Sequence, residues 1–122
     1  MRVLVIDDSR AIRMILKKTL KSIGAEVVEA GHGAEALEQL QGGEPFDLAL
    51  VDWNMPEMNG YEFVKAVRKE DRYASMKLCM VTTETETAQV VKALEAGADE
   101  YIMKPFTKEA LQDKLNMLGV TA

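Results

Sequence analysis

Short runs of branched apolar residues alternate with segments of helical periodicity five times along the chain, and that alternation leaves few folds open. Val3-Leu4-Val5-Ile6 is an uninterrupted apolar run ending at Asp7-Asp8, as expected for a strand buried on both faces. After Ser9, a candidate N-cap, Ile12, Ile15, Leu16, Leu20 and Ile23 recur at helical spacing until Gly24 supplies a stop. A second strand is predicted from Glu26 to Ala30 and a second helix from Ala34 to Gln41, with Gly42-Gly43 behind it. Leu48-Ala49-Leu50-Val51 makes a third strand that ends at Asp52. Asn59, with Glu62 three residues on, opens a third helix through Phe63, Val64 and Val67. The fourth strand, Leu78 to Val81, ends at Thr82, and Thr83 with Glu86 has capping-box spacing for a helix that runs to Gly97. Tyr101-Ile102-Met103 is the fifth strand. Lys104-Pro105 closes it, and Thr107 caps a last helix whose Leu111, Leu115 and Leu118 share one face. Right-handed crossovers then predict an α/β fold: a doubly wound, five-stranded parallel sheet with helices on both faces, and one domain over residues 1–122.

Composition narrows the function classes. A chain of 122 residues, 48% hydrophobic, is long enough to bury a core without metal or disulfide staples. Cys79, the single cysteine, lies in the apolar run Leu78-Cys79-Met80-Val81 and reads as a core residue in a reducing compartment. No apolar stretch approaches the roughly 20 residues a bilayer requires, and the N-terminus enters a strand without a signal-peptide pattern, so a cytoplasmic protein is expected. With a net charge of -5 and no basic stripe interleaved with aromatics, binding to nucleic acid or an anionic membrane is disfavoured.

The polar residues collect where a parallel sheet binds ligands, beyond the carboxyl ends of its strands. Strand one ends in Asp7-Asp8, strand three in Asp52, strand four in Thr82 and strand five in Lys104, whereas strand two ends in Ala30-Gly31. Each acidic residue alone fits a solvated loop or a helix cap. Together they make a constellation. Two carboxylates ~4 Å apart repel by about 4 kcal/mol at an effective dielectric near 20, so three require a compensating charge. A hard divalent cation such as Mg2+ suits an all-oxygen site and bridges to phosphate, and Lys104 adds a second positive charge. Asp52 between them is a candidate nucleophile towards a phosphorylated donor, with Thr82 placed to hydrogen-bond a phosphoryl oxygen.

These residues carry a resemblance. Val5-Ile6-Asp7-Asp8-Ser9, Val51-Asp52-Trp53-Asn54-Met55-Pro56, Met58-Asn59-Gly60, Met80-Val81-Thr82 and Tyr101-Ile102-Met103-Lys104-Pro105-Phe106 occur in the order and spacing of receiver domains of two-component signalling. The chain resembles in particular the stand-alone, CheY-like response regulators of chemotaxis, over essentially its whole length. That resemblance implies the flavodoxin-like strand order 2-1-3-4-5. It implies that Asp52 is phosphorylated from a histidine kinase (CheA-like), and that Asp8, Asp52 and the backbone carbonyl of Asn54 bind Mg2+ while Asp7 helps to place it. Lys104 and Thr82 would contact the phosphoryl group, and Tyr101 would turn inward, changing the face made by helix four, strand five and helix five. Asn54 and Glu84 would tune dephosphorylation towards a short-lived signal. The Lys104-Pro105 bond matches the family's cis peptide. Trp53-Asn54, Glu84, Phe106-Thr107 and Lys114-Leu115-Asn116 favour the chemotaxis branch. Thr83, the polar run Glu84 to Thr87 and Gly31-His32-Gly33 depart from it.

With no effector segment in residues 1–122, output would pass, from a monomer, to another protein: a flagellar motor switch, or a histidine phosphotransferase if the chain relays its phosphate. A metal-dependent phosphohydrolase with an aspartyl nucleophile fits less well, because residues 1–122 hold no inserted cap and Asp7-Asp8 are adjacent. A flavin module would require a hydroxyl- and glycine-rich loop after strand one, where Asp8-Ser9-Arg10 stands instead. Trp53 fits equally a partner-contacting aromatic and packed scaffold. His32 is expected as an exposed turn residue, Gly31-His32-Gly33 as a plain turn, and the eight methionines as gap fillers at apolar spacing.

Overall fold

The computed structural model describes residues 1–53, 55, 57–83, 87–104 and 106–120. Five strands, β1 (Arg2–Ile6), β2 (Glu26–Ala30), β3 (Leu48–Asp52), β4 (Lys77–Thr82) and β5 (Glu100–Met103), alternate with α1 (Arg10–Ser22), α2 (Gly33–Gln41), α3 (Gly60–Arg68), α4 (Thr87–Ala96) and α5 (Lys108–Leu118). All strand pairs are parallel, in the order β2-β1-β3-β4-β5. The five-fold alternation therefore gives the expected sheet, and the order is the one the resemblance implies. One short element escaped sequence reading: a 3-10 turn at Asp71–Tyr73, too brief to show a periodicity.

Strand side chains alternate between two cores. Val3, Val5, Leu48, Leu50, Cys79 and Val81 pack with Leu16 and Leu20 of α1 and Leu111 and Leu115 of α5. Leu4, Ile6, Ala49, Val51, Leu78 and Met80 face the other way, onto Ala36 and Leu40 of α2, Phe63, Val64 and Val67 of α3, and Ala93 of α4. Both faces of β1, β3 and β4 are thus dry, which explains their uninterrupted apolar runs. Burying each large side chain contributes about 1.5–3 kcal/mol, and Phe63 is the largest of those fully buried. Cys79 is fully buried, and burial pushes its thiol up to about 12, so it stays protonated at neutral pH.

Helix starts follow their caps. Ser9, Asn59 and Thr107 accept from the backbone N–H of Ile12, Glu62 and Ala110, and Glu62 returns the bond to the Asn59 N–H as a complete capping box. The Thr83/Glu86 capping box rests on Glu86, outside the described residues. His32 is exposed ahead of α2, as expected, and has a cap role that the sequence reading did not assign. Its Nδ1 accepts from the Glu35 N–H at 3.2 Å, so this half-exposed histidine is the N-cap of α2. Ile15 departs from expectation: it is 58% exposed although its spacing fitted the apolar stripe. Leu16 and Leu20 set the phase of α1, and Ile15 falls about 100° from Leu16 and about 140° from Leu20. Among the methionines, Met55, Met76 and Met80 do fill the core, but Met14, Met103 and Met117 are exposed. Trp53, 9% exposed, belongs to the core cluster, with its ring centroid 6.3 Å from that of Tyr61. Packed scaffold is its role.

Candidate functional site

The carboxyl ends of β1, β3, β4 and β5 converge at one edge, as their sequences predicted. Asp7 and Asp52 are buried there and Asp8 is exposed beside them, with one carboxylate oxygen from each lying within 4.8 Å of the others. Asp7 is held on both oxygens: Oδ1 accepts from the Ser9 N–H at 2.9 Å, and Oδ2 accepts from Lys104 Nζ at 3.0 Å. Lys104 Nζ also donates to Asp52 Oδ1 at 3.3 Å, so the ammonium bridges the two buried acids. The second positive charge expected of Lys104 is thus held between two carboxylates.

Burial holds the Asp52 carboxyl above the usual carboxylate range; the Asp7 charge pushes it further, Lys104 pulls it down, and Asp8 adds a smaller upward push. For Lys104, burial acts to lower the ammonium's value, but the Asp7 hydrogen bond and the Asp52 and Asp7 charges outweigh it, and the net direction is upward. Three carboxylates against one ammonium leave two negative charges, which a divalent cation would balance. Oxygen donors alone, clustered and partly buried, fit a hard ion such as Mg2+.

Two more residues shape this edge, Arg13, which the sequence did not single out, and Gly60, which closes the Met58-Asn59-Gly60 motif. Arg13 of α1 donates through Nη1 to the Asp7 carbonyl at 2.6 Å and through Nε to Glu29 at 3.3 Å, fixing the turn that carries Asp7. Its partners, a backbone oxygen and a residue 16 positions away, leave no local signature. Gly60, at the start of α3, donates its N–H to the Trp53 carbonyl at 2.9 Å. A Cβ there would lie 2.6 Å from the Asp52 carbonyl oxygen and from Met80 Cε, so only glycine lets α3 support the end of β3 this closely. Between them, Glu57 holds φ at 66°, a conformation costing roughly 1–2 kcal/mol for a residue with a Cβ.

Thr82 is buried at the end of β4, 3% exposed. Together with Trp53, Met80, Val90, Ala93 and the half-buried Tyr101 it lines a void of about 10 Å3 between the sheet and α4. Lys114 Nζ lies 4.8 Å from the Tyr101 ring centroid and 3.1 Å from Glu100 Oε1, tying α5 to β5. The structure therefore brings together Asp7, Asp8, Asp52 and Lys104, and sets Thr82 and Tyr101 on one void. Asn54, Glu84 and the Lys104-Pro105 bond lie outside the described residues.

A buried acidic cluster on this topology matches a known sequence pattern: the response regulator receiver domain profile covers residues 3–116. The chain belongs to that family. It is 50% identical over 121 residues to a Chemotaxis protein CheY homolog of Campylobacter jejuni, spanning 98% of this chain and 93% of that one. It is 46% identical over 119 residues to Chemotaxis protein CheY1 of Helicobacter pylori, covering 97% and 96%. The solved structure of the chemotaxis protein CheY4 of Vibrio cholerae superposes with a TM-score of 0.90 at 40% identity, covering 96% of this chain and 97% of that one. The chain is thus a CheY-like response regulator receiver with the CheY-like flavodoxin fold. Among the described residues, no helix is long and apolar enough to cross a membrane.

Proposed function

We propose that the protein is a cytoplasmic chemotaxis regulator, one receiver domain over residues 1–122, switched by Mg2+-dependent phosphorylation of Asp52 from a CheA-like histidine kinase. The observation that carries this reading is the Lys104 bridge between the buried Asp7 and Asp52, with Asp8 completing an oxygen cluster. An Asp52 oxygen would attack the phosphorus, a P–O bond would form as the P–N bond to the kinase histidine breaks, and the imidazole would leave. Mg2+ held by Asp8, Asp52 and the Asn54 carbonyl, with Asp7 positioning it, would neutralise charge on the transferring group. Lys104 would exchange a carboxylate contact for a phosphoryl oxygen, and Thr82 would take another. Hydrolysis, tuned at Asn54 and Glu84, would end the signal.

Output follows from packing. The void beside Thr82 holds about one water, so the Tyr101 ring can enter only when Thr82 moves or α4 shifts. Either change alters α4 and β5, where Val91, Leu94 and Met103 are exposed apolar residues available to a partner such as a flagellar motor switch. The CheY names of the relatives support the chemotaxis branch over a relay to a histidine phosphotransferase. Hydrogen exchange measured with acetyl phosphate and Mg2+ is expected to change in α4 and β5 and to stay constant in α2, with no response in Asp52→Asn. Identical exchange in α4 and β5 with and without acetyl phosphate, in protein that mass spectrometry finds phosphorylated, would refute the switch.

A further inference from the structure

A cleft of about 630 Å3 runs between α1 and β2, lined by Arg10, Met14, Lys18 and Lys21 on one side and by Glu29 and Gly31 on the other. β2 is an edge strand, paired with β1 alone among the described residues. Its Glu26 N–H donates to the Met1 carbonyl at 2.9 Å, and its Ala30 carbonyl accepts from the Asp7 N–H at 3.1 Å, so the main-chain groups of Glu26, Val28 and Ala30 face β1. Strand alternation then turns the N–H and C=O of Val27 and Glu29 outward, where no strand of the described residues pairs with them. An open edge of this kind is a template for an added strand.

The charge along the cleft selects what is added. α1 carries five cations and no carboxylate, in a chain whose net charge is -5. Glu29 occupies two of them, Arg13 at 3.3 Å and Lys17 at 3.5 Å. Arg10, Lys18 and Lys21 are exposed and have no ion-pair partner among the described residues. From Arg10 to Lys21 the helix rises roughly 16 Å at about 1.5 Å per residue, which is also about the length of the five residues of β2. A strand added to β2 presents alternate side chains to these cations and the others to the opposite face, beside the half-buried Val28. A polyphosphate offers no row of N–H donors to the Val27 and Glu29 carbonyls, and a second copy of β2 would set two basic α1 flanks against each other. An extended polypeptide with acidic residues at alternate positions and apolar ones between them satisfies both the edge and the charge.

We propose that the outer edge of β2 takes an extended acidic segment of another protein as a sixth strand, with its carboxylates on the α1 cations. β2 and β5 are opposite edges of the sheet, so such a partner leaves the α4 and β5 surface uncovered. The test is amide NMR on the full chain in low-salt buffer, titrated with an end-blocked hexapeptide alternating glutamate and valine, with its glutamine analogue, and with inorganic polyphosphate. Saturable shifts and slowed hydrogen exchange at the Val27 and Glu29 amides are expected with the glutamate peptide. Affinity should fall at least about tenfold with the glutamine peptide and in the double variant Lys18→Glu/Lys21→Glu, whose two altered side chains are both exposed. Absence of a saturable shift with the glutamate peptide, shifts in α1 that leave the Val27 and Glu29 amides unmoved, or equal affinity for the glutamine peptide or in the double variant would each overturn the proposal. So would polyphosphate slowing exchange at Val27 and Glu29 as the glutamate peptide does.

Discussion

Replacing Arg68 by alanine is expected to lower the unfolding free energy by about 3 kcal/mol and the melting temperature by roughly 12 °C. Arg68 Nε donates to the Gly97 carbonyl at 2.9 Å, Nη1 to that of Tyr73 at 2.9 Å, and Nη2 to that of Met76 at 2.8 Å and to Asp99 Oδ2 at 2.8 Å. Asp99 Oδ2 in turn accepts from the Leu78 N–H at 2.9 Å. One guanidinium thus joins the end of α3, the 3-10 turn, the end of α4 and the entry to β4. Gly97, at φ 122°, makes room for it, since a Cβ there would meet Arg68 Cγ at 2.5 Å. Truncation leaves three carbonyls and a carboxylate short of a donor, each loss tempered because the side chain is 19% exposed. Lysine retains the charge but cannot fork among these acceptors, so Arg68→Lys should recover less than half. Urea unfolding of the three proteins measures this. A loss under about 1 kcal/mol for Arg68→Ala would mean that the contacts are incidental.

Removing the Lys104 ammonium should cost about 3 kcal/mol at neutral pH in metal-free buffer, because Asp7 and Asp52 lose the cation between them. The deficit should depend on pH with a defined sign. The folded value of Asp52 is raised above its ordinary 3.8, so its ionisation destabilises the fold progressively as pH rises through that folded value. Without Lys104 the folded value climbs further. The gap between Lys104→Ala and wild type should therefore open as pH rises from about 4 to 7, and close again on acidification. Lys104 itself is raised above 10.5, so its own contribution is complete below that pH and is lost only as pH rises through its folded value. Mg2+ at about a hundred times its dissociation constant adds about 2.7 kcal/mol and should largely restore the variant. Melting curves across pH, with EDTA or Mg2+, test this. A deficit independent of both would locate the damage in packing instead.

The sequence announced what local rules control. Ser9, Asn59 and Thr107 announce helix starts because a cap bonds within three residues of itself. Asp7, Asp52, Thr82 and Lys104 were legible because a parallel sheet aligns its strand ends, so topology brings all four to one edge. Arg68 was not legible, since its partners are backbone carbonyls and an aspartate 31 residues away. His32 was missed because histidine is an uncommon cap. Ile15 was misplaced because residues one step apart both fit an apolar stripe until packing sets the helix phase. The pinned position of Lys104 depends on two distances that no residue pattern encodes.

The central claim is that Asp52 accepts a phosphoryl group in an oxygen cluster completed by Asp7 and Asp8. Intact-mass spectrometry after incubation with acetyl phosphate and Mg2+ tests it most directly. Wild type should gain one phosphoryl mass, the gain should vanish with EDTA, and Asp52→Asn should gain none. Failure of wild type to gain that mass, or an equal gain by Asp52→Asn, would contradict the account.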